Sequence, residues 1–512
     1  MSHTRKIMID IPLNRVEGDL EVRVEHGDGV ITDAWSAGIL YRGFENLMIG
    51  RGPLDGLVMT PRICGICSTT HLMAAVRALD AIAGVTPPDN AIRLRNIALM
   101  AEHVQSDVRQ SVMMFMADFA NPAHSRHSLF EQAQQRYTTM GGSSFIDVIR
   151  ETKKMLEVVA MIGGQWPHSS YMVPGGIAFE PSQAHLLQCL QLVRGYRQWY
   201  ERCVLGCSIE RWLAVDSRAA LDAWLEENAA QRESEVGFLL RFGREFGLDA
   251  IGRGNEAFMS CGSLDLPADT AVPASATAVP GSTRQLVAAG VVRHAAAEAF
   301  DGAKIAEDVS HAYYKKALGA LHPSAGETQP HVTERGGDAY SWIKAPRYDG
   351  SAVETGPLAE AVIERRPLFL DFLAGPGASS LTRQLARLTR PATLLTAMET
   401  WLGECIATHG TAIIAGDGHV PDGRGVGLIQ AARGALGHWV NIENGKIARY
   451  QIITPTAWNG SPRDEKGVRG AWEEALVGTP IADPDNPVEA GYVVRSFDPC
   501  LVCAVHTVKR TS

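Results

Sequence analysis

Residues 91–120, AIRLRNIALMAEHVQSDVRQSVMMFMADFA, decide the fold class. Apolar residues recur there at three- and four-residue spacing and also fall between those positions, so a helix over this stretch is apolar nearly all round. Such a helix belongs inside a large helical core. Residues 147–163 (DVIRETKKMLEVVAMIG) and 182–214 (SQAHLLQCLQLVRGYRQWYERCVLGCSIERWLA) carry the same period, and helices return over 380–408. Working outward, 6–12 (KIMIDIP) and 19–37 (DLEVRVEHGDGVITDAWSA) alternate about a Gly-Asp-Gly turn. Residues 425–459 alternate about Glu443-Asn444-Gly445, which reads as a hairpin. The expected architecture is mainly α with small β-sheets around a long-helix bundle core, in one domain spanning 1–512. It comprises an N-terminal sheet over 1–60, a helical core over 70–410, and C-terminal strands with a metal box over 420–512. An irregular Pro/Ala/Thr/Ser-rich excursion is expected at about 262–284, and 340–359 reads as irregular.

Composition narrows the function classes. With 48 Lys plus Arg against 57 Asp plus Glu the net charge is −9, and 46% of residues are hydrophobic. No basic block offers the phosphate contacts that nucleic-acid binding needs, so nucleic acid is not an expected partner. No apolar run is long enough to span a bilayer, and MSHTRKIMIDIP lacks a signal-peptide layout. The expectation is a chain that does not span a membrane, carries no signal peptide of its own, and is cytoplasmic or held at a membrane through a partner. Nine cysteines scattered over a long chain do not resemble a secreted disulfide framework.

Two Cys-x-x-Cys pairs stand near opposite ends: Arg62-Ile-Cys64-Gly-Ile-Cys67-Ser-Thr-Thr-His71 and Asp498-Pro-Cys500-Leu-Val-Cys503-Ala-Val-His506. Two intervening residues let both sulfurs of a pair face one ion, and four thiolates satisfy zinc, nickel or iron. Zinc ribbons join pairs separated by some 15–20 residues, whereas these pairs lie more than four hundred apart. On spacing alone a structural clamp between the chain ends and a catalytic metal stand level, and a thioredoxin-like redox pair would need only one motif. The other five cysteines, Cys189 among them, read as buried packing residues.

With both boxes complete, the chain resembles the large, catalytic subunit of nickel–iron hydrogenases. The resemblance extends to Asn14-Arg15-Val16-Glu17-Gly18, Tyr41-Arg42-Gly43-Phe44-Glu45, Ser341-Trp342-Ile343-Lys344-Ala345-Pro346-Arg347-Tyr348, Ala432-Arg433-Gly434 and the run from Tyr450 through Asn459. It implies reversible heterolytic cleavage of H2 to protons and electrons at a nickel–iron centre whose iron carries cyanide and carbonyl ligands. Cys64 and Cys500 match terminal nickel ligands, and Cys67 and Cys503 match bridges between nickel and iron. Thiolates are soft, strongly donating ligands, as a nickel that changes oxidation state requires.

The resemblance also assigns Arg433 a place over the metals, where a cation that does not deprotonate polarises what binds there, with Asp498 as its acidic partner. Asp107 is a further candidate for the same surroundings, although Ser106 fits the register equally well. Glu17 matches the first proton-relay carboxylate. Glu45, the backbone carbonyl of Ile452, and His506 match the ligands of a second ion near the C-terminus, magnesium or iron. His71 matches a donor to a cysteine sulfur, and Thr456 a donor to a cyanide nitrogen.

Electrons must leave a buried nickel, and no further cysteine cluster here could ligate iron–sulfur centres, so an iron–sulfur small subunit is implied, with room for a dimer of heterodimers. Glu17-Gly18-Asp19 stands where many members have Glu-Gly-His, a feature of the branch holding hydrogen sensors and cyanobacterial-type uptake enzymes. His71, however, replaces the Gln common in sensors. The alternative role is therefore an H2-sensing regulatory subunit that signals to a kinase. A third reading, a respiratory-complex relative without metal, is at odds with two intact cysteine pairs.

Overall fold

The computed structural model describes residues 7–16, 18, 20–271, 284–293, 295–316, 319–331 and 338–504, the last two without their side chains. Strands Ile7–Leu13, Leu20–Gly27 and Val30–Gly38 form an antiparallel meander. Alternate residues Ile11, Leu13, Leu20, Val22, Val24, Ile31 and Ala34 are buried, and Asp28 and Gly29 turn the chain with positive φ, as the Gly-Asp-Gly signal requires.

Four long helices, Asp89–Arg109, Ser143–Gly163, Gln183–Trp199 and Pro391–Ala407, pack in a closed circuit, each against two of the others. Asp89–Arg109 lies at its inner side and is buried on every face, polar residues included. Its buried charges are all engaged: Arg93 with Glu404 (2.7 Å), Arg95 with Asp80 (2.7 Å), Asp107 with Arg390 (2.7 Å), and Glu102 with the N-terminus of helix Ser68–Ala83. An unpaired charge in this position would cost several kcal/mol.

The structure departs from the sequence expectation between 258 and 298. Strands Phe258–Asp265, Gln285–Arg293 and Ala296–Glu298 form a sheet inside what reads as helical core, so residues 262–265 belong to a buried strand instead of the expected excursion. Helix Pro357–Ile363 and strand Gly423–Ala431 both pack on Phe258–Asp265, which leaves it no polar face and removes the alternation that marks a half-exposed strand. The rest of the excursion, 272–283, lies outside the described residues.

The third sheet, Gly423–Ala431, Gly434–Glu443 and Lys446–Ile453, contains the expected hairpin with Asn444 and Gly445 at its turn. It lies on helix Ser68–Ala83. At Gly427 a Cβ would sit 1.8 Å from the carbonyl oxygen of Ala74, so only glycine lets strand and helix approach this closely. Among the described residues, no helix is long and apolar enough to cross a membrane.

Candidate metal centre

Helix Ser68–Ala83 starts immediately after Cys67, whose backbone leaves helical geometry and whose carbonyl accepts from the N–H of His71 at 3.1 Å. Cys64 follows the tight turn Thr60–Arg62. From the other end, helix Val488–Ser496 runs into Asp498, which takes a left-handed conformation (φ 57°), then into Cys500 and the short helix Leu501–Ala504. The two ends meet. Cys64 Sγ lies 3.7 Å from Cys500 Sγ, and the sulfurs of Cys64, Cys67 and Cys500 all lie within 4.8 Å of one another, each buried. Three converging thiols with no competing hard ligand in the group fit a soft metal.

Arg433 reaches this cluster from the turn between strands Gly423–Ala431 and Gly434–Glu443. Its Nη1 donates to Cys67 Sγ at 2.9 Å, and its Nε lies 3.1 Å from Asp498 Oδ1. Burial works against its charge, but Asp498 and then Cys67, Cys500 and Cys64 outweigh burial and hold its pKa well above the ordinary value. Asp498 is the carboxylate beside Arg433; Asp107 is not. Asp107 makes a bidentate pair with Arg390 at 2.7 and 2.9 Å, because consecutive residues on a helix point about 100° apart and this one faces Arg390. Ser106 Oγ is buried without a hydrogen-bond partner among the described residues.

His71 Nδ1 lies 3.1 Å from His438 Nε2, and His438 Nδ1 lies 2.9 Å from Tyr450 Oη. Burial pushes the His71 pKa down to about 4, Cys64 opposes this and Arg42 adds to it, so the ring is neutral at pH 7. Thr456 Oγ1 accepts the backbone N–H of Cys500 at 2.9 Å.

At the second predicted ion position, Glu45 Oε1 accepts the N–H of Ile452 at 2.9 Å, and the other carboxylate oxygen lies 3.3 Å from Lys344 Nζ and accepts from Thr328. Lys344 also donates to Gln451 Oε1 at 2.8 Å and lies 3.6 Å from Glu307. A cavity of about 30 Å³ opens between Glu45, Glu307, Lys344 and Ile452. Glu45 and Glu307 supply the carboxylates that a small hard cation prefers, and the Lys344 ammonium already sets one positive charge beside them. Glu17 and His506 lie outside the described residues, as does the side chain of Cys503.

Residues 42–121 and 116–506 match the family model for nickel-dependent hydrogenases. The chain belongs to that family. It is 30% identical over 580 residues to the uptake hydrogenase large subunit of Rhizobium leguminosarum bv. viciae, covering 98% of this chain and 95% of that protein. To the periplasmic [NiFeSe] hydrogenase large subunit of Desulfomicrobium baculatum it is 31% identical over 540 residues, with the same coverage. A solved structure of the Desulfomicrobium baculatum [NiFeSe] hydrogenase superposes with a TM-score of 0.81 at 30% identity, covering 98% of this chain and all of that one. A structure of the enzyme from Desulfovibrio vulgaris Hildenborough in the reduced state gives 0.81 at 30%. This nickel-dependent hydrogenase subunit has cysteine at all four positions of its two boxes.

The sequence reading gave no role at the site to three groups. Arg42 donates to the carbonyls of Ile63 and Val502 (2.7 Å for the latter), the residues preceding Cys64 and Cys503, and so ties the two boxes together. Glu102 accepts from Thr69 N (2.7 Å), Thr70 N (3.0 Å) and Thr70 Oγ1 (2.5 Å), capping the helix that Cys67 begins. Arg387 donates to Ser496 O at 2.8 Å and lies 4.0 Å from Asp498. An acid within the most apolar stretch of the helix was the available signal for Glu102; Arg42 already stood inside a quoted motif.

Proposed function

We propose that this chain is the catalytic large subunit of a nickel–iron hydrogenase, cleaving H2 reversibly and heterolytically to protons and electrons. The observation that carries the reading is the convergence of Cys64, Cys67 and Cys500 within 4.8 Å, with the Arg433 guanidinium 2.9 Å from Cys67 Sγ. In this reading Cys64, Cys67, Cys500 and Cys503 would hold the nickel–iron centre, whose iron carries cyanide and carbonyl. When bound, the metal pair supplies the acceptor for the electron pair of dihydrogen.

The rest is work for the protein's own residues. A thiolate of the cluster takes the proton, being the base nearest to where H2 divides. Arg433, whose charge Asp498 supports, holds positive charge beside the thiol cluster and steadies Cys67 by its hydrogen bond. His71, neutral and oriented by His438, and Thr456, oriented by Cys500, fix the walls. Glu17 receives the proton and passes it on. Glu45, with the carbonyl of Ile452 and with His506, would hold magnesium or iron near the C-terminus, and Lys344 pairs with Glu45 and Glu307 beside that position.

Electrons leave through an iron–sulfur small subunit, because among the described residues Cys64, Cys67 and Cys500 form the sole cysteine cluster, which leaves none to ligate an iron–sulfur relay. Exposed Leu47, Ile49, Leu54 and Val58 on and beside helices Phe44–Met48 and Asp55–Met59, adjoining the first cysteine box, give that subunit an apolar seat. Metal analysis of the purified complex with an infrared spectrum in the carbonyl and cyanide region tests the reading. Nickel and iron near one each beyond the cluster iron, with such bands, is the expected result; zinc without bands would end it.

A further inference from the structure

Two-residue hairpin turns usually stand at exposed tips, yet the Ala432–Arg433 turn is buried, with the two residues 4% and 6% exposed. Gly434, which closes it, has φ 128°, and a Cβ there would come within 2.5 Å of Thr355. The turn is thus pressed against neighbouring structure, and its outer carbonyl has a definite partner. Arg390 Nη2 donates to Ala432 O at 2.8 Å. The same guanidinium is held by Asp107 through two bonds (2.7 and 2.9 Å) and by Glu360 through one (2.7 Å). Arg390, Asp107 and Glu360 are each under 5% exposed and come from different helical segments.

We infer that Arg390 is a positioning residue for the hydrogenase reaction: braced by Asp107 and Glu360, it fixes the Ala432 carbonyl and thereby sets how far Arg433 reaches toward Cys67. The inference rests on the role given to Arg433 under Proposed function. A guanidinium can serve as such a brace because its donors form a rigid planar fork that meets a bidentate carboxylate and a carbonyl at once. Arg433 spends its reach on a 2.9 Å contact with sulfur at one end and a 3.1 Å contact with Asp498 at the other. A shift of the turn by an ångström would lose at least one of them, and misplacement on that scale lowers turnover by about 100-fold. Asp107 therefore has a part in the site's geometry although it does not touch Arg433.

Replacing Arg390 alone strands two buried carboxylates, so the main variant is Arg390→Met with Asp107→Asn and Glu360→Gln, made in the metal-loaded complex. Expected are parental nickel content and KM for H2, kcat per nickel lowered about 100-fold, and a nickel electron-paramagnetic-resonance spectrum displaced from the parent's to the same position as that of an Arg433→Lys variant measured alongside. Combined with Arg433→Lys, the triple variant adds no further loss, since both remove one arrangement. Turnover within about twofold of the parent, an unmoved spectrum, or losses that multiply on combination would overturn the brace. If the triple variant does not fold, Arg390→Lys decides: it keeps the charge but not the fork, so a tenfold or greater loss with the displaced spectrum is expected, and parental values refute the inference. A crippled Arg433→Lys beside a parental triple variant removes only the brace; parental turnover in Arg433→Lys removes the role of Arg433 itself.

Discussion

Cys67 opens a sixteen-residue helix whose first turn is capped by Glu102 and whose His71 is steadied by His438, whereas Cys500 precedes a four-residue helix and depends on groups from elsewhere. The second box has its backbone held by Thr456 at Cys500 N and by Arg42 at Val502 O, and its leading Asp498 by Arg433. One spacing is thus built in two ways. A long helix carries the first box, with His438 and Arg433 as distant supports, whereas Cys500 is held almost wholly by long-range hydrogen bonds.

The largest effect belongs to the ligands themselves, on which the two boxes do not differ. Cys67→Ser and Cys500→Ser should each abolish nickel retention and turnover, because a hydroxyl is a far weaker donor to a soft metal than a thiolate; metal content of the purified variants checks this. Arg433→Lys, which acts on both boxes through Cys67 and Asp498, should lower kcat by about 100- to 1000-fold with nickel retained.

Glu102→Gln probes the brace of the first box alone. Burial pushes the Glu102 pKa up to about 7 against its hydrogen bonds from Thr70 and Thr69. Its protonated form therefore favours the folded state, a stabilisation complete below the ordinary carboxyl value near pH 4.5 and lost as pH rises through about 7. The variant should be less stable than the parent at pH 5, and the gap should narrow by on the order of 1–3 kcal/mol by pH 8 in chemical unfolding. A gap that widens with pH would contradict the assignment.

Thr456→Val tests the second box. It leaves the Cys500 N–H buried without its acceptor, for a loss of about 1–3 kcal/mol, and should slow nickel incorporation more than Glu102→Gln does, since the second box has no helix of its own to fall back on. Cys189→Ser sets the lower limit. It lies in the core away from both boxes, and nickel per chain should stay at the parental level.

Spacing and residue type made the cysteine pairs legible, and alternation made the first meander and the Asn444-Gly445 hairpin legible, because each is encoded within about ten residues. Legibility fails where a contact joins distant elements. Strand Phe258–Asp265 is covered on both faces and carries no period. Asp107 and Ser106 are neighbours in sequence, and only the packing of helix Asp89–Arg109 shows that Asp107 turns to Arg390. The Arg42 side chain stood in a noted motif, yet its acceptors are two backbone carbonyls, which no residue type announces.

The 3.7 Å approach of Cys64 to Cys500 spans 436 residues of sequence, which has a consequence in time. At about 5–20 residues per second of synthesis, the second sulfur pair reaches the first only roughly 20–90 s after it emerges. Through that interval the helix after Cys67 can form and be capped from nearby, so the newborn chain carries half of a soft-metal site to any thiophilic ion it meets. Fidelity of loading is then a race between completion of the chain and capture of the wrong metal, and the early box is where that race is run.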